Sequence, residues 1–295
     1  MTLPLPPWLA RSFDSISAAN DEDRLTHALL ISATPGWGAT LLAERVVRLL
    51  LDVRDDLELS TNLDFINVGL EERKTLISIE QIRDAIEFLS ATSRVGSRRL
   101  ALIREADKMS IPASQALLKI LEEPPADKYI VLVSTHGELL SPTIRSRCQR
   151  QVVRRGSPAE VKDFIASQTT DLSEIDDYLE DYGGAPFAAL NALQERRLIL
   201  KAHLAKAARA QAAIPELARD MRELDVDDIL MRWQFVTLRL AHNTAHVEPV
   251  AVFYDQLSDI RRQFREVPGL DRERQYIRLL IKWQHLLRGH QRLRS

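Results

Sequence analysis

The sequence predicts an α/β domain built on a parallel sheet, followed by an all-helical region. Three observations carry that prediction. Up to about Val153, short apolar runs alternate with stretches of helical spacing, the pattern of a sheet covered by helices on both faces. The first apolar run ends in a glycine-containing turn that opens a helix, the context of a phosphate-binding loop. From Ser157 onward the apolar positions follow helical spacing.

Taken in order, His27-Ala28-Leu29-Leu30-Ile31 reads as a buried strand and Leu41 to Val47 as the helix after it. Asp64-Phe65-Ile66-Asn67-Val68 is a second strand. Ser78 then stands as N-cap of a helix with Ile79, Ile82, Ile86 and Leu89 on one face. Arg99 to Ile103 and Tyr129 to Ser134 are the third and fourth strands. Between them a helix from Ala113 to Glu123 is stopped by Pro124-Pro125, because proline cannot continue the hydrogen-bond ladder. Gln149 to Val153 makes a fifth strand. Ser157-Pro158-Ala159-Glu160 is a helix start, with serine as N-cap, proline in the first turn and an acid behind it. Helices follow near 158–167, 173–182 and from Pro186. Near the C-terminus, Val226, Ile229, Leu230, Trp233 and Val236 form one stripe, and Tyr276, Leu279, Leu280, Trp283 and Leu287 another.

The loop Ala33-Thr34-Pro35-Gly36-Trp37-Gly38-Ala39-Thr40 matches the phosphate-loop pattern G-x-x-x-x-G-K-[ST] poorly. Aligned on Gly38 and Thr40, the first glycine is Ala33 and the lysine is Ala39. That lysine reaches the β- and γ-phosphates, and a hydrogen bond to a charged group is worth about 1.5–3 kcal/mol. Poor triphosphate binding is the expectation. The third strand runs into Arg104-Glu105, with an arginine where an acid would hold Mg²⁺. Without further context, the loop is equally a plain strand-to-helix turn, and Arg104 a solvated strand end.

Composition sets limits. The 295 residues suggest two or three domains, and 45% hydrophobic with 28% charged residues is the make-up of a globular chain. A formal net charge of −2 argues against a globally basic nucleic-acid binder. The single cysteine, Cys148, excludes an intrachain disulfide framework and fits a reducing, cytoplasmic setting. The start Met1-Thr2-Leu3-Pro4 lacks the features of a signal peptide, and no apolar run is long enough to span a bilayer.

Two longer motifs are more specific. Ser114-Gln115-Ala116-Leu117-Leu118-Lys119-Ile120-Leu121-Glu122-Glu123-Pro124-Pro125 closely resembles the A-L-L-K-x-L-E-E-P-P segment of the bacterial DNA polymerase III clamp-loader ATPases. Pro142-Thr143-Ile144-Arg145-Ser146-Arg147-Cys148-Gln149 resembles the same family's T-I-x-S-R-C motif, and Ser134-Thr135 resembles its sensor-1 position. The resemblance covers about residues 7–153 and weakens beyond. It implies an AAA+, P-loop NTPase-like sheet domain over 1–156, a small helical lid over 157–211 and a helical collar domain over 212–295.

Departures from the family's motor subunits, gamma and tau, are as telling. The zinc module that many relatives carry has no counterpart in Leu51–Asp64, which lacks cysteine. Phe187 stands where motors place an arginine in their lid domain. With Ala39 and Arg104, this makes three missing catalytic groups. The resemblance therefore implies a subunit with no activity and no cofactor of its own, within a nucleotidyltransferase complex. ATP and Mg²⁺ would be bound by neighbouring gamma/tau subunits. Partners would be gamma/tau and delta in a hetero-pentamer, with primer-template DNA and the sliding clamp reached through the complex, and no membrane. Arg147 would project into the neighbour's ATP site as an arginine finger, a device worth about 10³–10⁵ in rate. Cys148 would pack rather than react. A weakly active ATPase, a DNA-binding module drawing on Arg94, Arg98, Arg99 and Arg145 to Arg155, and a membrane-surface helix over Arg272–Arg294 are the alternatives.

Overall fold

The computed structural model describes residues 4–292 apart from 73, 171, 243–246 and 268. The start Met1-Thr2-Leu3 and the end of the basic segment at Arg294 lie outside the described residues. Two compact units, Met1–Phe164 and Ile165–Ser295, make up the chain. The expectations for a lid and a collar concern helices that fall almost wholly in the second.

The first unit contains α1 (Pro7–Asp21), β1 (Ala28–Ser32), α2 (Ala39–Leu51), β2 (Phe65–Val68), α3 (Ile79–Ser90), β3 (Arg99–Ile103), α4 (Ile111–Glu122), β4 (Lys128–Ser134), α5 (Pro142–Arg147) and β5 (Gln149–Val152). All strand pairs are parallel, in the order β2-β3-β4-β1-β5. The apolar runs are continuous because both faces are covered. Helix α2 lies against β1, β3 and β4, with α1 outside it. On the other face, Leu30, Ala101, Ile103, Ile130 and Leu132 share one core with Ile82, Leu89, Leu117, Ile120, Ile144 and Cys148 of the α3–α5 region.

Local signals set the helix ends. Ser78 accepts from the Gln81 N–H while the Gln81 side chain accepts from the Ser78 N–H, a capping box that fixes where α3 starts. Helix α4 begins earlier than its spacing suggests, at Ile111, because Ser110 caps it and Pro112 is tolerated in the first turn. The expectations above contain no helix ahead of the first strand, yet α1 is there. Its signal is the set Trp8, Leu9, Ser12, Ile16 and Ala19, all buried on one face, behind a proline at the first helical position.

Helix α6 (Pro158–Gln168) runs across the division at residue 164. Its start is the expected one: Ser157 accepts from the Glu160 N–H and Glu160 accepts from the Ser157 N–H.

The second unit holds α7 (Ile175–Asp181), α8 (Pro186–Gln194), α9 (Leu200–Ala208), α10 (Ile214–Met221), α11 (Val226–His242), α12 (Val247–Glu266) and α13 (Arg272–Arg292). Ile229, Leu230, Trp233, Tyr276, Leu279, Leu280 and Trp283 are buried in one core, with Val226, Val236 and Leu287 packed against it. Phe253 joins Trp233 and Trp283, ring centroids 5.9 and 5.5 Å apart. The same unit buries charge. Arg232 and Asp181 are at most 1% exposed, and their side chains meet at 2.6 Å. Among the described residues no helix is long and apolar enough to cross a membrane.

Candidate functional site

The loop that opens α2 follows β1 at the C-terminal edge of the sheet, where doubly wound sheets receive ligands. Gly36 and Gly38 have φ of 77° and 87°, the left-handed conformation in which a side chain is strained, and Gly38 is the residue at which the helix begins. Trp37 between them turns inward and is buried. Its ring meets that of Trp8 edge-on at 5.7 Å, and the Trp8 indole N–H donates to the Trp37 carbonyl at 3.3 Å. Trp8 in turn packs edge-on against Phe164 at 5.4 Å. The loop is thus braced from behind by α1. Ala33 is buried and its N–H donates to the Ser134 carbonyl at 3.2 Å. Ala39, where a phosphate loop carries lysine, is a buried methyl in the first turn of α2, and Thr40 is exposed.

Parallel register brings the end of β4 beside the loop, with Ser32 paired to Ser134. The Ser134 hydroxyl is already engaged. It donates to Asp107 Oδ1 at 2.6 Å and accepts the His136 N–H at 3.1 Å. The other Asp107 oxygen lies 3.7 Å from His136 Nδ1. Thr135 is exposed and its hydroxyl lies 3.1 Å from the same ring nitrogen. Burial pushes the Asp107 carboxyl up, but the bonds from His136 and Ser134 outweigh it and hold it at about 2. A carboxylate that stays ionised is therefore fixed beside the loop.

The ionised Asp107 makes the stability of the fold depend on pH. A carboxyl at about 2 in the fold and near 3.8 when unfolded contributes stability that is complete above the unfolded value. The contribution fades as pH falls from about 4 toward 2, and the full amount is about 2 kcal/mol. In urea titrations at pH 7 and pH 2.5, wild type is expected to lose about 1.5 kcal/mol more than Asp107→Asn, the rest of the contribution going below pH 2.5. Parallel losses in the two proteins would remove Asp107 from this role.

Arg104 behaves differently from a solvated strand end. Its N–H extends the β2–β3 pairing to the Val68 carbonyl, and its guanidinium lies on Gly69, where an added Cβ would stand 3.5 Å from Nε. It therefore leans toward β2, the edge of the sheet farther from β1. Its Nε is buried without a hydrogen-bond partner among the described residues.

The Ser-Arg-Cys motif sits at the opposite edge. Helix α5 is capped by Ser141, whose hydroxyl accepts from the Ile144 N–H at 3.3 Å, and ends at Arg147. Ser146 is exposed and donates to the Thr143 carbonyl at 3.0 Å. Cys148 is buried in the core, and burial pushes its thiol up to about 11, so it is not a thiolate near neutral pH. Arg147 is one-third exposed. Its Nη1 donates to the Thr143 carbonyl at 3.0 Å, and its Nη2 pairs with Glu122 at 2.6 Å. Glu123, next to Glu122, is exposed.

Register fixes the relation between the two ends. Gln149, two residues after Arg147, pairs with Leu29 near the start of β1, whereas the loop begins after Ser32, which pairs with Val152. At about 3.3 Å per residue, at least about 10 Å of strand separates Arg147 from its own loop. The structure thus brings Ala33, Gly36, Gly38, Ala39 and Thr40 together with Ser134, and brings Glu122 together with Ser146 and Arg147, as two groups on opposite edges. Phe187, in the first turn of α8, belongs to the second unit. From the sequence, the Ala106-Asp107-Lys108-Met109 run and the Trp8-Leu9 start count only toward the family resemblance, and Asp107, His136 and the Trp8–Trp37 pair are given no place at the loop. Their only signal is an acid in the run Ala106-Asp107-Lys108-Met109 and a tryptophan after two prolines.

Comparison with known proteins gives the family. The family model described as DNA polymerase III, delta subunit, matches residues 9–155. A DNA polymerase III subunit delta' of Pseudomonas aeruginosa is 28% identical over 226 residues, covering 70% of this chain and 69% of that protein. The subunit delta' of Escherichia coli is 31% identical over 156 residues, covering 48% and 47%, so the chain spans about half the length of that relative. A DNA polymerase III gamma subunit-related protein of Thermotoga maritima has a similar fold, with a TM-score of 0.56 and 16% identity over 94% of this chain and 99% of that one. With a family-model match that takes in the loop, both motifs and all five strands, and with delta' relatives on either side of 30% identity, this chain belongs to the delta-prime family of DNA polymerase III clamp-loader subunits.

Proposed function

We propose that this chain is a non-hydrolysing subunit of an ATP-driven clamp-loading complex and that it donates Arg147 to the ATP site of a neighbouring gamma/tau subunit. The observation that carries the reading is the placement of Arg147 and the chain's own loop at opposite edges of one sheet. A guanidinium there is out of reach of its own loop and, one-third exposed, is available to another chain. The loop itself supports the same reading. It lacks a cation at Ala39, and the hydroxyl at the end of β4 is spent on Asp107, whose negative charge opposes a triphosphate. The degenerate loop then serves to complete the fold, and ATP with Mg²⁺ belongs to the neighbour. Clamp, primed DNA and delta are reached through the assembled complex, with the second unit's helices holding the partners.

The test of the loop is calorimetric. Titrating ATP and Mg²⁺ into the isolated chain is expected to give no binding tighter than about 1 mM, above which a site contributes less than about 4 kcal/mol. Saturable micromolar binding would return the loop to the ranks of working nucleotide sites.

A further inference from the structure

Arg147 is not held by its own helix alone. Of its two terminal nitrogens, Nη1 donates to the Thr143 carbonyl at 3.0 Å, one turn back on α5. Nη2 reaches a different element, meeting Oε1 of Glu122, the last residue of α4, at 2.6 Å. Two acceptors on two elements fix both the bend and the roll of a planar fork that would otherwise sample many rotamers. The arrangement leaves donors over. A guanidinium has five N–H groups, and beyond the hydrogen bond to Thr143 and the ion pair with Glu122 its one further contact among the described residues is a long one from Nη1 to the Ser146 hydroxyl, 3.5 Å.

Glu122 has no local reason to be where it is. It closes α4, where the helix macrodipole presents its negative end and an acid is disfavoured. Its side chain is about half exposed, so the pair adds little to folding. What the pair does is orient. We infer that Glu122 is a positioning residue for the reaction in the adjoining subunit: it holds the Arg147 fork so that its remaining N–H groups face the transferring phosphoryl of a nucleoside triphosphate. The inference rests on the reading of Arg147 as a donor in trans, and goes beyond it by assigning the group that aims the donor.

The experiment uses complexes assembled from gamma/tau, delta and this chain as wild type, Glu122→Ala, Glu122→Gln, Arg147→Ala or the Glu122→Ala/Arg147→Ala double variant. ATP hydrolysis is measured with clamp and primed DNA present. Glu122→Ala is expected to slow turnover at the site facing this chain about two- to five-fold, read in the pre-steady-state phase that Arg147→Ala removes, with KM for ATP unchanged, since the groups that bind ATP lie in the neighbour. Glu122→Gln keeps an acceptor oxygen in the same place and is expected near wild type. The double variant is expected to match Arg147→Ala alone, because there is no longer a fork to aim. Turnover at that site unchanged or raised by Glu122→Ala, or a further loss in the Arg147→Ala background, overturns the inference. An Arg147→Ala complex as active as wild type overturns the finger reading and this inference together. A fall with Arg147→Ala but none with Glu122→Ala removes only the role of Glu122.

Discussion

Replacing Arg147 by alanine is expected to abolish ATP hydrolysis at one site of the reconstituted complex while leaving this chain folded and able to assemble. The guanidinium is one-third exposed and its pair with Glu122 is at the surface, so its removal takes little from stability. In phosphoryl transfer, charge develops on the transferring group, and a trans-acting arginine is worth about 10³–10⁵ in rate. The site facing this chain should therefore lose at least about 10³-fold. The complex as a whole falls only by that site's share plus whatever depends on its firing. Pre-steady-state hydrolysis with clamp and primed DNA would show the missing phase, and size-exclusion chromatography would show whether assembly is intact. Arg147→Lys should behave like Arg147→Ala, because an ammonium lacks the planar fork that contacts two oxygens at once. Hydrolysis at the wild-type rate by the alanine variant would end the proposal.

The second large effect is on stability, in the helical unit. Asp181 is fully buried. It accepts the N–H groups of Leu200 and Lys201, the latter at 2.8 Å, and so caps the start of α9. It also pairs with Arg232 at 2.6 Å. Arg232 in turn donates to the Leu198 carbonyl, contacts Asp228 at 3.3 Å and lies 4.8 Å over the Tyr182 ring. Burial pushes the Asp181 carboxyl above its ordinary value even with Arg232 beside it, so desolvation is not fully offset by the attraction. Removing Asp181 is still costly, because Arg232 then keeps its charge in a dry site with the more exposed Asp228 as its carboxylate partner and the α9 amides lose their cap. Asp181→Ala is expected to destabilise the unit by about 3–5 kcal/mol and lower its melting temperature by about 10 °C or more. The double change Asp181→Asn/Arg232→Met should lie much closer to wild type. Asparagine keeps an oxygen for the α9 amides, and methionine fills the stem of the arginine without its charge. Differential scanning calorimetry of the three proteins checks both statements. A double variant as unstable as the single one would show that the ion pair itself, and not the unpaired charge, carries the stability.

Much of the sheet domain is legible in one dimension. The run Arg99 to Ile103 is a strand in the sequence and in the structure alike, because a strand covered on both faces must be apolar at successive positions. Ser78 and Gln81 announce α3 because capping is settled within four residues. Helix α1 has no place among the expected elements, although Trp8, Leu9, Ile16 and Ala19 share one face and proline suits the first turn of a helix. Arg104 shows another limit. Its identity is visible in the sequence, but its lean toward Gly69 depends on which strand lies beside it.

By itself the sequence determined the alternation of strands and helices, the loss of lysine at Ala39, and the two motifs that end in Pro125 and Cys148. These are matters of local spacing and of residue identity, which the chain carries in its own order. Only the tertiary structure decided that Asp107 and Ser134 meet beside the loop, that Asp181 and Arg232 share one buried site 51 residues apart, and that Arg147 and the loop stand at opposite edges. Strand order and parallel register decide those relations. They are set by which faces bury best against one another, which no single segment specifies.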